Sequence, residues 1–296
     1  MARWAPGRVG AMQYRALGRT GQKLSVIGFG GIVVSETTPE EASRLVSSAV
    51  ARGVNYFDVA PSYGDAEEKL GPALKPHRDA VFLACKTQCR DAEGATAELD
   101  ASLKMMHTDH FDLYQLHAMT KLEDVETVLG PGGALEAFER ARDAGKVRYL
   151  GFSAHSAEAA EQLLDRFPFD SVLFPLNFAT YLEGNFGPQV IAAAQRRGAG
   201  VLALKGMART RWPEGTARED RRWKKAWYEP LDDRALASLA LRFTLGLGVT
   251  AAIPPGHAEL FDLALEIARD LRPLSEAELA TITEMAHATE PLFRAA

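Results

Sequence analysis

The chain has 296 residues, a formal charge of −5 and 47% hydrophobic residues. That length buries a full core without disulfides or metals, and the mild acidity gives no basic field for a polyanion, so general nucleic-acid binding is excluded. No run of about 18 apolar residues offers a membrane helix, and two cysteines, Cys85 and Cys89, are too few for a disulfide framework and too isolated from histidines for a metal site.

The first eleven residues lack the apolar stretch of a secretory signal and are expected to be a loose lead, with Met12 as an alternative start; a cytoplasmic location is expected. Residues 13–25 read as a hairpin turning at Gly18, Arg19, Thr20 and Gly21. Apolar, β-branched runs then recur at 26–30, 54–59, 80–86, 111–117, 148–152, 171–176, 200–205 and 250–253. Helical patterns lie between them. Residues 39–52 start at Thr38 as N-cap with Pro39 in the first turn, and stop at Gly53. Residues 92–106, 134–144, 156–167, 188–197 and 232–245 follow, several closing on glycine or before proline. A last helix over 275–288 opens with a capping box, Ser275 and Glu278. The basic run 221–225 sits among Glu219, Asp220 and Glu229 and reads as a solvated face.

Eight strands alternating with helices specify an α/β fold, a (β/α)8 barrel with an N-terminal β-hairpin and an extra C-terminal helix. An open doubly wound sheet would need a Gly-x-Gly-x-x-Gly turn, and the glycines at 28, 30 and 31 do not complete one. No linker-like stretch divides residues 12–296, which are expected to form a single domain.

In such a barrel, chemistry sits at the C-terminal strand ends. Those ends carry Asp58, with Tyr63 just behind it, then Lys86, His117, Ser153, Asn177 and Lys205. A lysine beside a tyrosine favours phenolate, an aspartate fixes the lysine, and a histidine near the phenol can orient a carbonyl oxygen. Such a set protonates an oxygen on which negative charge develops, as carbonyl reduction by hydride requires. Each residue alone has a plain structural explanation; four on three successive strand ends do not.

The segments LGRTGQKLSVIGFGG (17–31), GVNYFDVAPSYG (53–64), FDLYQLH (111–117) and GKVRYLGFS (145–153) identify the chain as resembling the aldo/keto reductase family from about residue 13 to residue 294. The resemblance implies the same barrel, with Tyr63 as general acid, Lys86 lowering its pKa, Asp58 holding Lys86 and His117 orienting the carbonyl. It implies a nicotinamide cofactor, NADP(H) more than NAD(H), and no metal. Ser153 matches the residue that holds the nicotinamide amide; Gly30, Asn177, Lys205, Gly206, Arg209, Pro254 and Gly256 are the other expected cofactor contacts, the last five in the loops after strands seven and eight. The pattern departs from the family at Ala154, Leu173 and Leu204, and residues 258–264 lack its arginine for the 2′-phosphate. Residues 204–205 and the last helix resemble a bacterial branch whose members often carry a cysteine-rich iron–sulfur extension; with none here, no cluster is expected.

The expected function is reduction of an aldehyde or ketone, its partner a small carbonyl or alcohol. The departures in the cofactor contacts motivate an alternative, a cofactor-binding redox sensor with little turnover. A lyase or aldolase using Lys86 or Lys205 as a Schiff base ranks below both, because it leaves Asp58 and Tyr63 without a role. Substrate choice is expected to lie in the long loops 119–133 and 209–231, the second holding Trp212, Trp223, Trp227 and Tyr228.

Overall fold

A computed structural model describes residues 11–295; the lead over residues 1–10 lies outside the described residues. The chain enters as a hairpin, β1 (Tyr14–Ala16) and β2 (Lys23–Ser25), antiparallel, with Tyr14 opposite Ser25. Then come β3 (Phe29–Gly30), α1 (Pro39–Ala51), β4 (Tyr56–Asp58), α2 (Ala66–Leu74), β5 (Phe82–Thr87), α3 (Ala92–Met105), β6 (Phe111–Met119), α4 (Leu122–Leu129), α5 (Ala134–Asp143), β7 (Val147–Ala154), α6 (Ala157–Arg166) and β8 (Ser171–Pro175). The second part runs α7 (Phe178–Leu182), α8 (Pro188–Arg197), β9 (Gly200–Leu204), β10 (Ala208–Arg211), β11 (Tyr228–Pro230), α9 (Arg234–Gly246), β12 (Ala251–Ile253), α10 (Ala258–Arg269) and α11 (Glu276–His287).

Eight parallel strands pair in the order β12-β9-β8-β7-β6-β5-β4-β3. The first and last meet through a parallel bridge between Ile27 and Ala252, with Gly28 N donating to Ala252 O at 2.9 Å and Ala252 N to Val26 O at 2.9 Å, so the sheet closes. Each of the eight expected strands is present. Closure leaves no strand edge, and the strands are buried on both faces, which is why they read as apolar runs.

Period-two alternation sorts the strand residues. Tyr56, Phe82, Ala84, Leu113, Leu173, Leu202, Ala251 and Ile253 fill the barrel interior. Leu17 and Leu24 of the hairpin join that cluster and plug its N-terminal end. The other side chains pack outward against the helices in a larger core with Phe57, Leu83, Cys85, Tyr114 and Phe152. Two residues beyond the interior positions come Asp58, Lys86 and Gln115, and His117 and Ser153 follow at the open end. The polar groups therefore face the mouth because the alternation that buries the floor places them there.

Caps fix the helices that the sequence marks. Thr38, Asp91, Ser156, Asp233 and Ser275 each accept from a backbone N–H of the first turn, and Ser275 with Glu278 completes the expected capping box. Four helices go unmarked in the sequence: α2, α4, α7 and α10. Neither α2, α4 nor α10 has a side-chain cap bond, α2 contains Pro72, and α7 is five residues long. The order of α2, α4 and α10 comes from packing, and α7 is held by a local capping box of Asn177 and Thr180 that sequence reasoning did not single out.

The segment after β9 differs most from expectation. Its ends pair as the antiparallel hairpin β10–β11, and the intervening residues cross the barrel mouth as a strap. Within it the basic run is only partly solvated. Lys225 turns inward and its Nζ donates to the carbonyls of Ile32, Val33 and Ser35 at 3.2, 3.2 and 2.5 Å. Trp223 Nε1 donates to Asp232 at 2.9 Å, and Arg218 pairs with Glu36 at 2.5 Å.

Candidate active site

At the mouth lies a cavity of about 260 Å³ walled by Gly30, Asp58, Tyr63, Lys86, His117, Ser153 and residues 253–256, with Leu173, Leu204, Trp227 and Tyr228 as its apolar surfaces. Lys86, at the end of β5, is fully buried. Its ammonium donates to Asp58 Oδ1 and to the Val59 carbonyl, the latter at 3.2 Å. The second Asp58 oxygen accepts from Gln115 Nε2 at 3.1 Å and from Tyr56 OH at 3.3 Å. Burial by itself would lower the lysine's pKa, but Asp58 and then Tyr63 outweigh it and hold the ammonium above its ordinary range. Sequence reasoning did not single out Gln115 or Tyr56. Their signal is position, since they share the inward register of their strands with the tetrad residues.

Lys86 Nζ lies 5.0 Å from the Tyr63 ring centroid. Burial raises the phenol's pKa, Lys86 opposes it, and the balance is upward. The lysine thus acts in the expected direction while the phenol keeps its proton through neutral pH. The His117 ring stands edge-on to Tyr63 with centroids 5.7 Å apart, and its Nδ1 is 3.3 Å from Ser62 Oγ. Burial first, and the nearby Lys86 charge second, depress its pKa to about 3, so the imidazole is neutral. Asp58, Tyr63, Lys86 and His117 are therefore gathered in one cavity.

The expected cofactor contacts divide. Gly30, Ser153, Lys205, Pro254 and Gly256 line the cavity. The Ser153 hydroxyl accepts from Ala118 N at 2.7 Å and keeps its own proton to donate. A Cβ on Gly256 would lie 2.3 Å from Ile32 Cγ2, so this loop packs backbone-close against the loop after β3. Asn177, Gly206 and Arg209 are not in the wall. Asn177 Oδ1 caps α7 by accepting from Thr180 N at 2.9 Å, and its buried Nδ2 finds no partner. Gly206 packs on Thr244, and Arg209 is exposed and pairs with Glu229 at 3.5 Å.

Lys205 follows the last residue of β9 with φ +64°, a left-handed conformation that few non-glycine residues adopt. That turn sends its side chain toward the loop after β7. Its Nζ is 3.2 Å from His155 Nε2, and the Trp227 and Phe293 ring centroids lie 5.5 and 5.7 Å away. Burial lowers the amine's pKa to about 7. His155, Trp227 and Phe293 were not among the expected site residues; the strap and the C-terminal segment bring the last two in.

The family model for the aldo/keto reductases matches residues 26–288. The chain belongs to the aldo/keto reductase family. Members of that family are oxidoreductases that use a nicotinamide cofactor. The chain is 32% identical to aldo-keto reductase YhdN of Bacillus subtilis over 56% of its own length and 54% of that protein's, so it spans about half of this relative. It is 24% identical to the uncharacterized oxidoreductase YqkF of the same organism over 96% of its length and 99% of that protein's. Among solved structures, an aldo-keto reductase of Bacillus halodurans in its holo form superposes with a TM-score of 0.73 at 24% identity, covering 95% of this chain and 98% of that one. This aldo/keto reductase barrel has, among its described residues, no helix long and apolar enough to cross a membrane and no cluster of His, Cys, Asp or Glu suited to a metal.

The residues present fit a nicotinamide. Leu173 and Leu204 offer apolar surface to a flat ring, and the Ser153 hydroxyl keeps a donor for an amide. The cavity falls below the range of about 300–1,000 Å³ typical for drug-sized ligands. A whole dinucleotide is therefore larger than this cavity.

Proposed function

We propose that this protein reduces an aldehyde or ketone to the alcohol with NADP(H), in preference to NAD(H), and that Tyr63 gives the proton. The observation that carries the reading is the buried, ion-paired Lys86 beside a protonated Tyr63 and a neutral His117 at one cavity. The cofactor, when bound, supplies the hydride to the carbonyl carbon. The protein supplies the rest.

We assign the His117 proton to Nε2, with Nδ1 facing Ser62 Oγ at 3.3 Å, so that Nε2 can hold the substrate oxygen. Tyr63 donates its phenolic proton to that oxygen as charge develops there. Lys86 stays charged throughout because Asp58 is its partner, and it stabilises the phenolate left behind. Gln115 and Tyr56 fix Asp58, so the ammonium does not drift. The apolar walls and the strap exclude water, which strengthens each of these interactions. The same charge state argues against Lys86 as a Schiff base, since a protonated amine is not a nucleophile.

Ser153, Gly30, Pro254 and Gly256 are the residues we assign to the cofactor. The preference for NADP(H) rests on the family resemblance. The backbone N of Lys225 donates to Nε2 of His257, the residue after Gly256, at 3.0 Å, which ties the strap to that loop. Fluorescence titration with NADPH and NADH, followed by turnover on a nitrobenzaldehyde, tests the reading. Reduction with tighter NADPH binding supports it; tight binding without turnover across a panel of aldehydes would make the protein a redox sensor instead.

A further inference from the structure

Three lysines line the cavity, and the ammonium charge of two is held by several oxygen acceptors. Lys225 spends its ammonium on three backbone carbonyls, and Lys86 on Asp58 and the Val59 carbonyl. Lys205 makes one hydrogen bond, to His155, and among the described residues it has no carboxylate within ion-pair distance. An ammonium has three donors. The two that remain are held 7% exposed at the cavity wall under the Trp227 and Phe293 rings. Aromatic faces soften the cost of a buried cation but accept no strong hydrogen bond. An unpaired buried cation is unfavourable, and so is a left-handed backbone at a lysine. Both point to a ligand.

Direction decides which ligand. In the sheet, β9 is followed by β8, β7 and β6 on one side and by β12 on the other. The Lys205 amine leans past β8 to His155, which follows β7, on the side of His117 at β6. It leans away from β12 and the loop 254–256, where Pro254 and Gly256 are assigned to the cofactor. One cation in a small cavity that must also hold a flat ring suits one negative charge.

We propose that the carbonyl substrate carries a carboxylate, and that Lys205, oriented by His155, binds it. This rests on the reductase reading above. Such a substrate is an aldehyde or keto acid: its carbonyl carbon gains the hydride carried by the reduced nicotinamide, its oxygen gains the Tyr63 proton, and its carboxylate is unchanged in the hydroxy-acid product. The depressed amine pKa fits an ammonium waiting for an anion, since a bound carboxylate favours the charged form.

The test compares 4-carboxybenzaldehyde with benzaldehyde in the wild type, Lys205→Gln and Lys205→Arg. It also measures benzoate and NADP+ binding through tryptophan fluorescence. A charge-assisted pair predicts a kcat/KM ratio of about tenfold or more for the carboxylated aldehyde in the wild type, falling to near unity in Lys205→Gln and recovering in Lys205→Arg. Benzoate affinity should fall by a similar factor in Lys205→Gln. A wild-type ratio near unity overturns the proposal. So does a Lys205→Gln variant that keeps the ratio but loses NADP+ affinity, which would make Lys205 a cofactor-phosphate contact. If neither aldehyde is reduced, the reductase reading fails, and benzoate binding decides separately: loss in Lys205→Gln supports the carboxylate site, and no change removes it.

Discussion

Replacing Asp58 by Asn removes the one carboxylate that holds Lys86 and leaves the lysine in place. Both side chains are buried, Lys86 completely. Breaking one side of a buried pair costs about 3–5 kcal/mol, because the remaining charge stays uncompensated. At about 2 °C per kcal/mol for a chain of this size, the melting temperature should fall by about 6–10 °C. The pH dependence is the sharper test. In the wild type Lys86 titrates above its ordinary value of 10.5, so the pair's contribution is fully present below that pH and is lost only as pH rises through the higher folded value. In Asp58→Asn, burial becomes the dominant influence and pulls the lysine's pKa below 10.5. The folded variant then sheds a proton that the unfolded chain keeps, so its stability rises with pH across that window while the wild type's does not. Thermal unfolding of both proteins from about pH 6 to about pH 9.5 should show the gap narrowing. A gap below about 1 kcal/mol at pH 6, or one independent of pH, would show that Lys86 is not held as a buried charge by Asp58.

Gly256→Ala places a methyl against Ile32, so cofactor affinity should weaken about tenfold or more, and Ile32→Ala in the same chain should restore part of it; titration by tryptophan quenching reads both. Lys225→Met unties the strap from the carbonyls of residues 32, 33 and 35, so stopped-flow fluorescence should show faster cofactor association and release, with cleavage of residues 212–226 by a protease also faster. For a carboxylated aldehyde, kcat/KM should fall as pH rises through about 7, where Lys205 loses its proton; His155, its hydrogen-bond partner, is already neutral there, and benzaldehyde should show no such step.

The barrel and its tetrad were legible in the sequence because both depend on period-two burial. Strands buried on two faces must be apolar, so a polar residue at a strand's end, such as Asp58, Lys86 or His117, is conspicuous. Helices with capping side chains were legible for a similar local reason. The strap was not. Residues 221–225 have the composition of a solvated loop, and nothing local says that Lys225 meets carbonyls about 190 positions earlier in the chain. Lys205 was visible as a strand-end cation, but its direction depends on a left-handed backbone that the sequence does not announce. Asn177 and Arg209 were expected at the cofactor by resemblance; neither lines the cavity, Asn177 Oδ1 caps α7 while its Nδ2 has no partner, and Arg209 pairs with Glu229 at the surface.

The proposed reaction turns on Tyr63 as the proton donor. Single-turnover reduction of a nitrobenzaldehyde by NADPH, measured for the wild type and Tyr63→Phe alongside the NADPH dissociation constant, tests it most directly. The expected rate in the variant is about 10²–10⁴-fold lower, with the dissociation constant little changed. A variant that reduces the aldehyde within tenfold of the wild-type rate would contradict it.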